Sequence, residues 1–220
     1  MTKIIIYGGL SLSFDESKEI LDSQDNIEVI YKRPIKRGDI NQALKENPDV
    51  IGIIDGVFHQ NSAVGHKEIL NAINKGVKVF GASSMGALRA SELDTLGMTG
   101  TGYCYNQYAN GFIESDDDVA VMIDSETLEA LSTPLISMKY VFTNAANEQI
   151  ITDSQKEELL KIAKDMYYPK RNYGQVLIKS TLNNETKDKL IDYIRQTEDI
   201  KKQDAKELLN LIKSYGISAK

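Results

Sequence analysis

The chain has 220 residues, of which 41% are hydrophobic and 26% are charged, as expected of a globular protein with a sizeable core. A net charge of −6 argues against general affinity for nucleic acid or for an anionic membrane. No apolar run approaches the ~20 residues of a membrane-spanning helix, and the single cysteine excludes an internal disulfide. The sequence begins directly with strand-like residues, without a signal peptide. We therefore expect a soluble, cytoplasmic protein.

Strand-like and helix-like segments alternate over roughly the first 125 residues. The predicted strands are KIIIY, IEVIY, DVIGIID and VKVFG, and the predicted helices are SFDESKEILDS, RGDINQALKENP, SAVGHKEILNAINKG and SMGALRASELDTLG. In the third helix, Ser62 is the predicted N-cap and Gly76 is the predicted residue after the C-cap. Alternation with short connections predicts an α/β fold with an open, mostly parallel sheet flanked by helices.

The pattern changes after Leu96, first to a glycine- and aromatic-rich stretch and then to an acidic one. From Leu128 onward the signals are mostly helical. We expect an α/β core domain over residues 1–145 and a helical C-terminal region over residues 146–220. The lysine-rich helices of this region are typical of solvated faces, with a partner-binding surface as the alternative.

In open parallel sheets, ligands bind outside the carboxyl ends of the strands. Three such ends are marked here, by Gly8-Gly9, by Asp55-Gly56 and by residues 81–84. Asp55 is placed to orient a catalytic histidine, or it simply begins a turn before Gly56.

The segment GASSMGALRA places two serines where a strand becomes a helix. Ser84, with Gly86 two residues later, is the candidate nucleophile, because a serine in such a turn is exposed beside backbone N–H groups that can hold an oxyanion. The pattern G-x-S-x-G is incomplete, because Ala82 stands at the first glycine position. The alternative is that Ser83 or Ser84 merely caps the helix.

The chain offers two histidines as a base, His59 and His66. His66 shares a predicted helix face with Ile69 and Ile73, so we expect its ring to point inward, toward the sheet, as a general base. A buried structural histidine is the alternative. His59 lies in the preceding loop and is expected to be more exposed.

Charged residues flank both candidate helices. Arg89 and Glu92 are three residues apart and can form an intrahelical pair. Alternatively, Arg89 binds a carboxylate or thiocarboxylate at the start of its helix, because a guanidinium binds such groups through two hydrogen bonds. Lys67 and Glu68 follow His66 directly.

The segment ESDDD brings together Glu114, Asp116, Asp117 and Asp118. Acidic clusters bind divalent metals or basic partners. This spacing matches no calcium loop and has no nearby histidine, so we expect a charged loop and no metal. Cys104 is a possible persulfide carrier, although a lone cysteine between tyrosines favours a packing role.

Several unusual segments occur in one order, namely IIDG, HKEIL, GASSMGALRA with a following glutamate, GMTGTG and DDDVAV. In this order they resemble the TfuA-like proteins over about the first 140 residues. Gly65 and Asp118 depart from the common pattern of that family.

The resemblance implies a partner of YcaO enzymes in forming peptide-backbone thioamides. YcaO uses ATP to activate an amide oxygen. Because ATP and Mg are expected to bind to YcaO, we expect no cofactor in this chain. The TfuA-like partner is expected to deliver sulfur by hydrolysing a thiocarboxylated, ThiS-like carrier protein to sulfide. The target is a ribosomal peptide or a glycine of methyl-coenzyme M reductase, and the look of IKRGDI and IIDGVFHQ favours the reductase.

Matching to the family motif assigns roles to particular residues. The matched core positions are Asp55, His66, Lys67, Glu68, Ser84, Arg89 and Glu92, of which Ser84, His66 and Asp55 are expected to be catalytic and the others to bind substrate. Gly81, Ser83 and Met85, in the same turn as Ser84, are further expected substrate-binding residues. The alternative is a non-catalytic docking and activating module that binds YcaO through residues 114–118 and the helical tail.

Overall fold

A five-stranded, all-parallel sheet organises the first part of the fold, in a computed structural model that describes residues 1–22, 26–58, 62–113, 115–122 and 130–218. The candidates His59 and Glu114 lie outside these ranges. The strands are β1 Thr2–Tyr7, β2 Ile27–Lys32, β3 Val50–Ile53, β4 Lys78–Gly81 and β5 Thr99–Gly100, in the order β2-β1-β3-β4-β5. The predicted α/β fold with a parallel sheet is confirmed.

The central strands form because their apolar runs are covered on both faces. All four residues of β3 are buried, and so are the last four of β1. Ile51 of β3 is in register with Ile5 on one side and with Val79 on the other. Continuous β-branched runs are typical of parallel strands between two helical layers.

Ten α-helices lie within the described residues. They are α1 Phe14–Leu21, α2 Asp39–Ala43, α3 His66–Asn74, α4 Met85–Leu93, α5 Gly102–Ala109, α6 Leu135–Asn147, α7 Asp153–Asp165, α8 Tyr173–Lys179, α9 Asn184–Gln196 and α10 Ile200–Ser218. None of these helices combines the length and the apolar character needed to cross a membrane.

The start of α3 differs from the prediction. Ser62 is not its N-cap, because the helix begins at His66 and the N-cap is Gly65. The carboxylate of Glu68 fixes this start, since it accepts the N–H of Gly65 at 3.3 Å. At the other end, Gly76 follows the C-cap with φ +86°, as predicted.

Two apolar layers cover the sheet. Side chains from α2, α3 and α4 pack on one face, and side chains from α10 pack on the other with the second side of β1, β3 and β4. Gly52 explains the close approach of α10, because a Cβ there would lie 2.7 Å from Cδ1 of Ile212. The sequence predicted this last helix but not its place on the sheet.

The chain divides into two compact units, which differ from the predicted domains 1–145 and 146–220. One unit comprises Met1–Glu114 with Ile200–Lys220, and the other comprises Ser115–Asp199. The predicted boundary falls inside α6, and α10 belongs with the sheet because its apolar residues complete the core there.

The second unit is built from α6 to α9 around a core of its own, including Phe142, Leu159 and Leu190. Phe142 also packs edge-on against Tyr173, with ring centroids 5.8 Å apart. Arg171 is buried, and its guanidinium donates to the carbonyl oxygens of Ala163, Met166 and Asp117. This guanidinium therefore holds the end of α7 in place.

Candidate functional site

The turn between β4 and α4 is anchored to the end of the neighbouring strand β3. The N–H of Ala82 donates to the carbonyl oxygen of Ile53 at 3.2 Å. The N–H groups of Ser84 and Gly86 both donate to the carbonyl oxygen of Ile54, at 3.3 and 3.2 Å. The serine turn thus lies at the carboxyl end of the sheet, as the sequence predicted.

The glycines of this turn are required by close packing. A Cβ on Gly86 would lie 1.8 Å from the carbonyl oxygen of Ile53, and a Cβ on Gly81 would lie 2.2 Å from that of Gly86. Both positions therefore admit only glycine without a backbone shift. The spacing of small residues is explained by the contact between strand and helix, before any ligand is considered.

Both serines have unusual backbone conformations and buried side chains. Ser83 has φ +69°, in the left-handed region that non-glycine residues rarely adopt. Ser84 occupies the N-cap position with φ −116° and ψ −115°, and its side chain makes no capping hydrogen bond. The exposed fractions of Ser83 and Ser84 are 0% and 3%. Side-chain capping therefore does not explain either serine, and neither is exposed as the nucleophile hypothesis expected.

The N–H of Met85, at the first position of α4, donates to no acceptor among the described residues. The Met85 side chain is buried and packs at Gly56, where a Cβ would lie 2.6 Å from Cγ of Met85. The methionine side chain is thus part of the core, and only its backbone donor remains for a ligand.

His66, Arg89 and Glu92 meet between α3 and α4. Nε2 of His66 lies 2.7 Å from Oε2 of Glu92, and the same oxygen accepts Nη1–H of Arg89 at 2.6 Å. Nε–H of Arg89 donates to the carbonyl oxygen of Val64 at 3.0 Å. The exposed side-chain fractions are 48% for His66, 36% for Glu92 and 12% for Arg89. An accessible imidazole is thus oriented by a carboxylate, which is the arrangement of a general base.

The expected inward direction of His66 is wrong. Because α3 begins four residues after the predicted cap, His66 occupies its first, solvent-exposed position rather than the inner face. The intrahelical pair of Arg89 and Glu92 is present. What the sequence did not show is that this pair also binds the histidine of another helix.

Asp55 is not the carboxylate that orients His66. It is buried, and Oδ2 accepts the N–H groups of Leu10 and Ser11 at 3.0 and 2.9 Å. Oδ1 accepts the hydroxyl of Ser11 at 2.5 Å. Asp55 therefore fixes the loop after β1, and Glu92 takes the orienting position beside His66.

Lys67 and Glu68, the two residues after His66, have different roles. Glu68 is committed to backbone donors, since its carboxylate accepts the N–H of Gly65 and, at 2.8 Å, that of Gly38. Lys67 is exposed and forms no ion pair with a described residue. Lys67 thus presents a free cation next to the imidazole.

The serine turn precedes α4, whereas Glu92 of the histidine pair lies near the other end of that helix. No hydrogen bond joins Ser84 to His66 among the described residues. Ser84 and Glu92 are eight residues apart on α4, a rise of about 12 Å. The side chains of Arg89 and Glu92 shorten this gap, because side chains on a helix lean toward its start.

The acidic segment 114–118, which was the predicted partner surface, is only partly exposed among the described residues. Residues 116–118 form a single 3₁₀ turn, and the side chain of Asp116 lies outside the described part. Asp117 is exposed, whereas Asp118 is half-buried. Burial raises the pKa of Asp118, and the charge of Arg171 opposes this increase. Only Asp117 therefore presents an exposed carboxylate here among the described side chains.

Cys104 is fully buried at the start of α5, and its N–H donates to Oδ2 of Asp204 at 2.7 Å. This environment gives it a packing role. Within the described ranges, no group of three or more histidine, cysteine, aspartate or glutamate side chains is arranged to hold a metal ion.

These features define an α/β protein with a serine turn at the carboxyl end of a parallel sheet and an accessible histidine–glutamate pair between α3 and α4. The sequence profile of the TfuA-like protein family matches residues 55–172, which is more than half of the chain and includes both features. The chain belongs to the TfuA-like family. A search of curated proteins found no match. Membership is consistent with a YcaO-associated role in thioamidation, and the family acts with YcaO-type partners.

Proposed function

We propose that this chain delivers sulfur to a YcaO enzyme by hydrolysing the thiocarboxylate of a ThiS-like carrier protein. The observation that carries the proposal is the 2.7 Å contact between Nε2 of His66 and Oε2 of Glu92, within a segment shared with the TfuA-like family. Hydrolysis needs a base, an oxyanion site and a means of holding an anionic acyl group.

In the reaction, water adds to the thiocarboxylate carbon and the carbon–sulfur bond then breaks, giving a carboxylate and hydrogen sulfide. His66 accepts the proton from the attacking water and returns it to the leaving sulfur. Glu92 orients the imidazole and stabilises its charged form. Arg89 holds Glu92 in place, and exposed Lys67 attracts the negative end of the carrier tail.

The absence of a hydrogen bond between Ser84 and His66 among the described residues favours an activated water over a serine nucleophile. A serine nucleophile needs a direct hydrogen bond to its base of about 2.6 to 3.2 Å, and Ser84 has none to His66. The turn is therefore assigned the oxyanion site, with Ser84 and the N–H of Met85 as candidate donors.

A glycine of methyl-coenzyme M reductase is the proposed target of the YcaO enzyme, and a ribosomal peptide is the alternative. This choice rests on the resemblance of the sequence. Mass spectrometry of both targets after reaction with YcaO, ATP and this chain distinguishes them by the replacement of one oxygen by sulfur.

Sulfide release from a thiocarboxylated ThiS-like protein, without YcaO or ATP, tests the hydrolase. We expect release by the wild type, and a loss of about 100-fold or more in kcat for His66→Ala. Ser84→Ala removes one candidate oxyanion donor and should also lower kcat. Its matched control is Ser91→Ala on α4, because the Ser91 hydroxyl donates to the carbonyl oxygen of Leu88 at 2.8 Å. Wild-type release at the uncatalysed rate contradicts the proposal.

A non-catalytic docking and activating module is the second candidate. The burial of both turn serines favours it, because the isolated chain exposes no hydroxyl at the turn for chemistry. This function predicts faster YcaO turnover with free sulfide as donor, without release from the carrier. Asp117→Lys then weakens the YcaO complex, whereas Asp118→Lys is unsuitable because Asp118 is half-buried.

A further inference from the structure

The segment that follows β2 carries three exposed cations, Arg33, Lys36 and Arg37. The whole chain has a net charge of −6, so this group of cations runs against its overall charge. The proposed hydrolysis gives the segment no role. Charged side chains commonly lie on solvated faces, so a specific role for these cations depends on where the fold places them.

Strand pairing brings this segment to the carboxyl end of the central strands. β1 ends at Tyr7, and beyond that point Ile35 forms a parallel bridge with Gly56. The N–H of Ile35 donates to the carbonyl oxygen of Asp55 at 2.9 Å, and the carbonyl oxygen of Ile35 accepts the N–H of Val57 at 2.9 Å. The segment therefore lies at the edge where open parallel sheets bind their ligands.

Three hydrogen bonds hold the same segment against the start of α3. The N–H of Arg37 donates to the carbonyl oxygen of Ser62 at 2.7 Å, and Nε–H of Arg37 donates to that of Ala63 at 3.4 Å. The N–H of Gly38 donates to the carboxylate of Glu68 at 2.8 Å. The backbone of the segment is thus fixed beside the first turn of α3.

The first turn of α3 presents the candidate base together with a further cation. His66 and Lys67 open this helix, and both are exposed. The cations on both sides of the contact with α3 form one basic surface, which comprises Arg33, Lys36, Arg37 and Lys67. The basic surface therefore adjoins the imidazole that is proposed to activate water.

The carboxylates near the basic surface bind donors of the chain itself. Asp39 accepts the N–H of Lys36 at 2.9 Å, and Glu68 accepts two backbone N–H groups. Glu92 forms an ion pair with Arg89. Asp39 and Glu68 are half-buried, whereas all four cations of the basic surface are exposed. The charge that this surface presents to a partner is therefore mainly positive.

We propose that the basic surface docks an acidic face of the ThiS-like carrier protein, so that the C-terminal tail of the carrier reaches His66. This inference rests on the proposed hydrolase function and extends it from the thiocarboxylate to the folded body of the substrate. The surface adjoins the candidate base, so the protein that covers it is the one whose tail is hydrolysed there. The net charge of −6 opposes general binding of polyanions, so local charge complementarity selects the partner.

The exposure of the four cations determines how they act on the carrier. Charge pairs at the solvated rim of an interface mainly raise the association rate and the specificity. Salt weakens such pairs, because the Debye length is only ~8 Å at physiological ionic strength. Association with the carrier should therefore be fast at low salt and should slow steeply as salt is added.

The test compares two double variants of the full chain that change the net charge equally. One combines Arg33→Glu with Lys36→Glu. The control combines Lys75→Glu with Lys78→Glu, at exposed lysines that lie where α3 ends and β4 begins, at the opposite end of the sheet. Stopped-flow kinetics measure binding of the unmodified carrier, whose C-terminal carboxylate is not hydrolysed, at low salt and at ~0.5 M salt.

We expect the variant of Arg33 and Lys36 to lower the association rate constant about tenfold or more and to reduce its salt dependence. The KM for sulfide release from the thiocarboxylated carrier should rise accordingly. The thermal midpoint should stay at the wild-type value, because both substituted side chains are exposed. The control variant should associate almost as fast as the wild type.

Three outcomes overturn the inference while leaving the hydrolase function in place, provided that wild-type sulfide release is measured. Equal slowing by the two double variants indicates general repulsion without docking at this surface. Association that does not depend on salt excludes a charged interface. Weaker binding of YcaO, with unchanged binding of the carrier, assigns the surface to YcaO. Conversely, absence of wild-type release rejects the hydrolase function, and a selective loss of carrier binding in the variant of Arg33 and Lys36 then still supports docking at this surface.

Discussion

His66 and Glu92 lie on different helices, and their side chains meet with Nε2 2.7 Å from Oε2. The two residues are 26 positions apart in the chain, so the pair forms only because α3 and α4 lie on the same face of the sheet. The same carboxylate oxygen accepts Nη1–H of Arg89. Glu92 therefore couples an accessible base to a largely buried cation.

Glu92→Gln should lower kcat for sulfide release by more than about tenfold, because the amide keeps the shape but loses the charge that orients and stabilises the imidazolium. The free energy of unfolding should change by less than about 1 kcal/mol, because the pair is partly exposed. Steady-state kinetics and urea unfolding of the same preparation measure both quantities.

The control for this substitution is Glu28→Gln, which removes an exposed carboxylate that pairs with Lys3 at 3.5 Å. It should change neither quantity. Unchanged kcat in Glu92→Gln excludes the orienting role of this carboxylate.

Gly86→Ala should disrupt the turn between β4 and α4. Its Cβ would lie 1.8 Å from a strand carbonyl, so the helix must move away. We expect the free energy of unfolding to fall by about 3 kcal/mol or more, measured by urea denaturation. Gly65→Ala is the control, because the nearest atom to its Cβ is 3.6 Å away. If Gly86→Ala is as stable as Gly65→Ala, the helix and the strand can move apart at position 86 without cost, and the prediction is wrong.

Asp204 gives the first unit a distinct pH dependence. Burial raises the pKa of Asp204 to about 6, although its carboxylate accepts backbone N–H groups from Tyr103 and Cys104. The folded pKa exceeds the unfolded value, so the stability contribution of this group is complete below pH ~4 and is lost as pH rises through ~6. The loss is on the order of 3 kcal/mol.

Asp204→Asn should abolish this part of the pH dependence. Urea unfolding of wild type and variant between pH 4 and 7.5 isolates the contribution as a difference between the two curves. Asp15→Asn, which changes a carboxylate with an exposed fraction of 92%, is the control. A wild-type minus variant difference that grows with pH has the wrong sign and contradicts the prediction.

Arg171→Lys should destabilise the second unit. A lysine ammonium cannot reach three carbonyl oxygens from the position of the planar guanidinium. The expected decrease in the free energy of unfolding is about 2 to 3 kcal/mol, measured by denaturant unfolding. Arg195→Lys, at an exposed pair with Asp192, should change it by less than about 0.5 kcal/mol. Equal effects of the two substitutions exclude a special role for the buried guanidinium.

The prediction of the fold succeeded where local sequence is sufficient. The apolar runs that became β1, β3 and β4 are continuous because helices cover both faces of the sheet. The start of α3 was misplaced because Ser62 is a good capping residue by type. The actual cap depends on Glu68, whose carboxylate also binds the distant backbone of Gly38.

The sequence by itself determined the α/β class, the location of the serine turn and the set of candidate side chains, because these depend on periodicity, on residue type and on short motifs. Tertiary structure alone decided how they combine. In the folded protein Asp55 accepts hydrogen bonds from the loop after β1, and His66 pairs with Glu92. The last helix, α10, packs on the sheet. Tertiary structure also left the hydroxyl of Ser83 buried without a hydrogen-bond partner among the residues that the structure describes. Such outcomes depend on contacts between residues far apart in the chain, and no local pattern encodes which distant groups will meet.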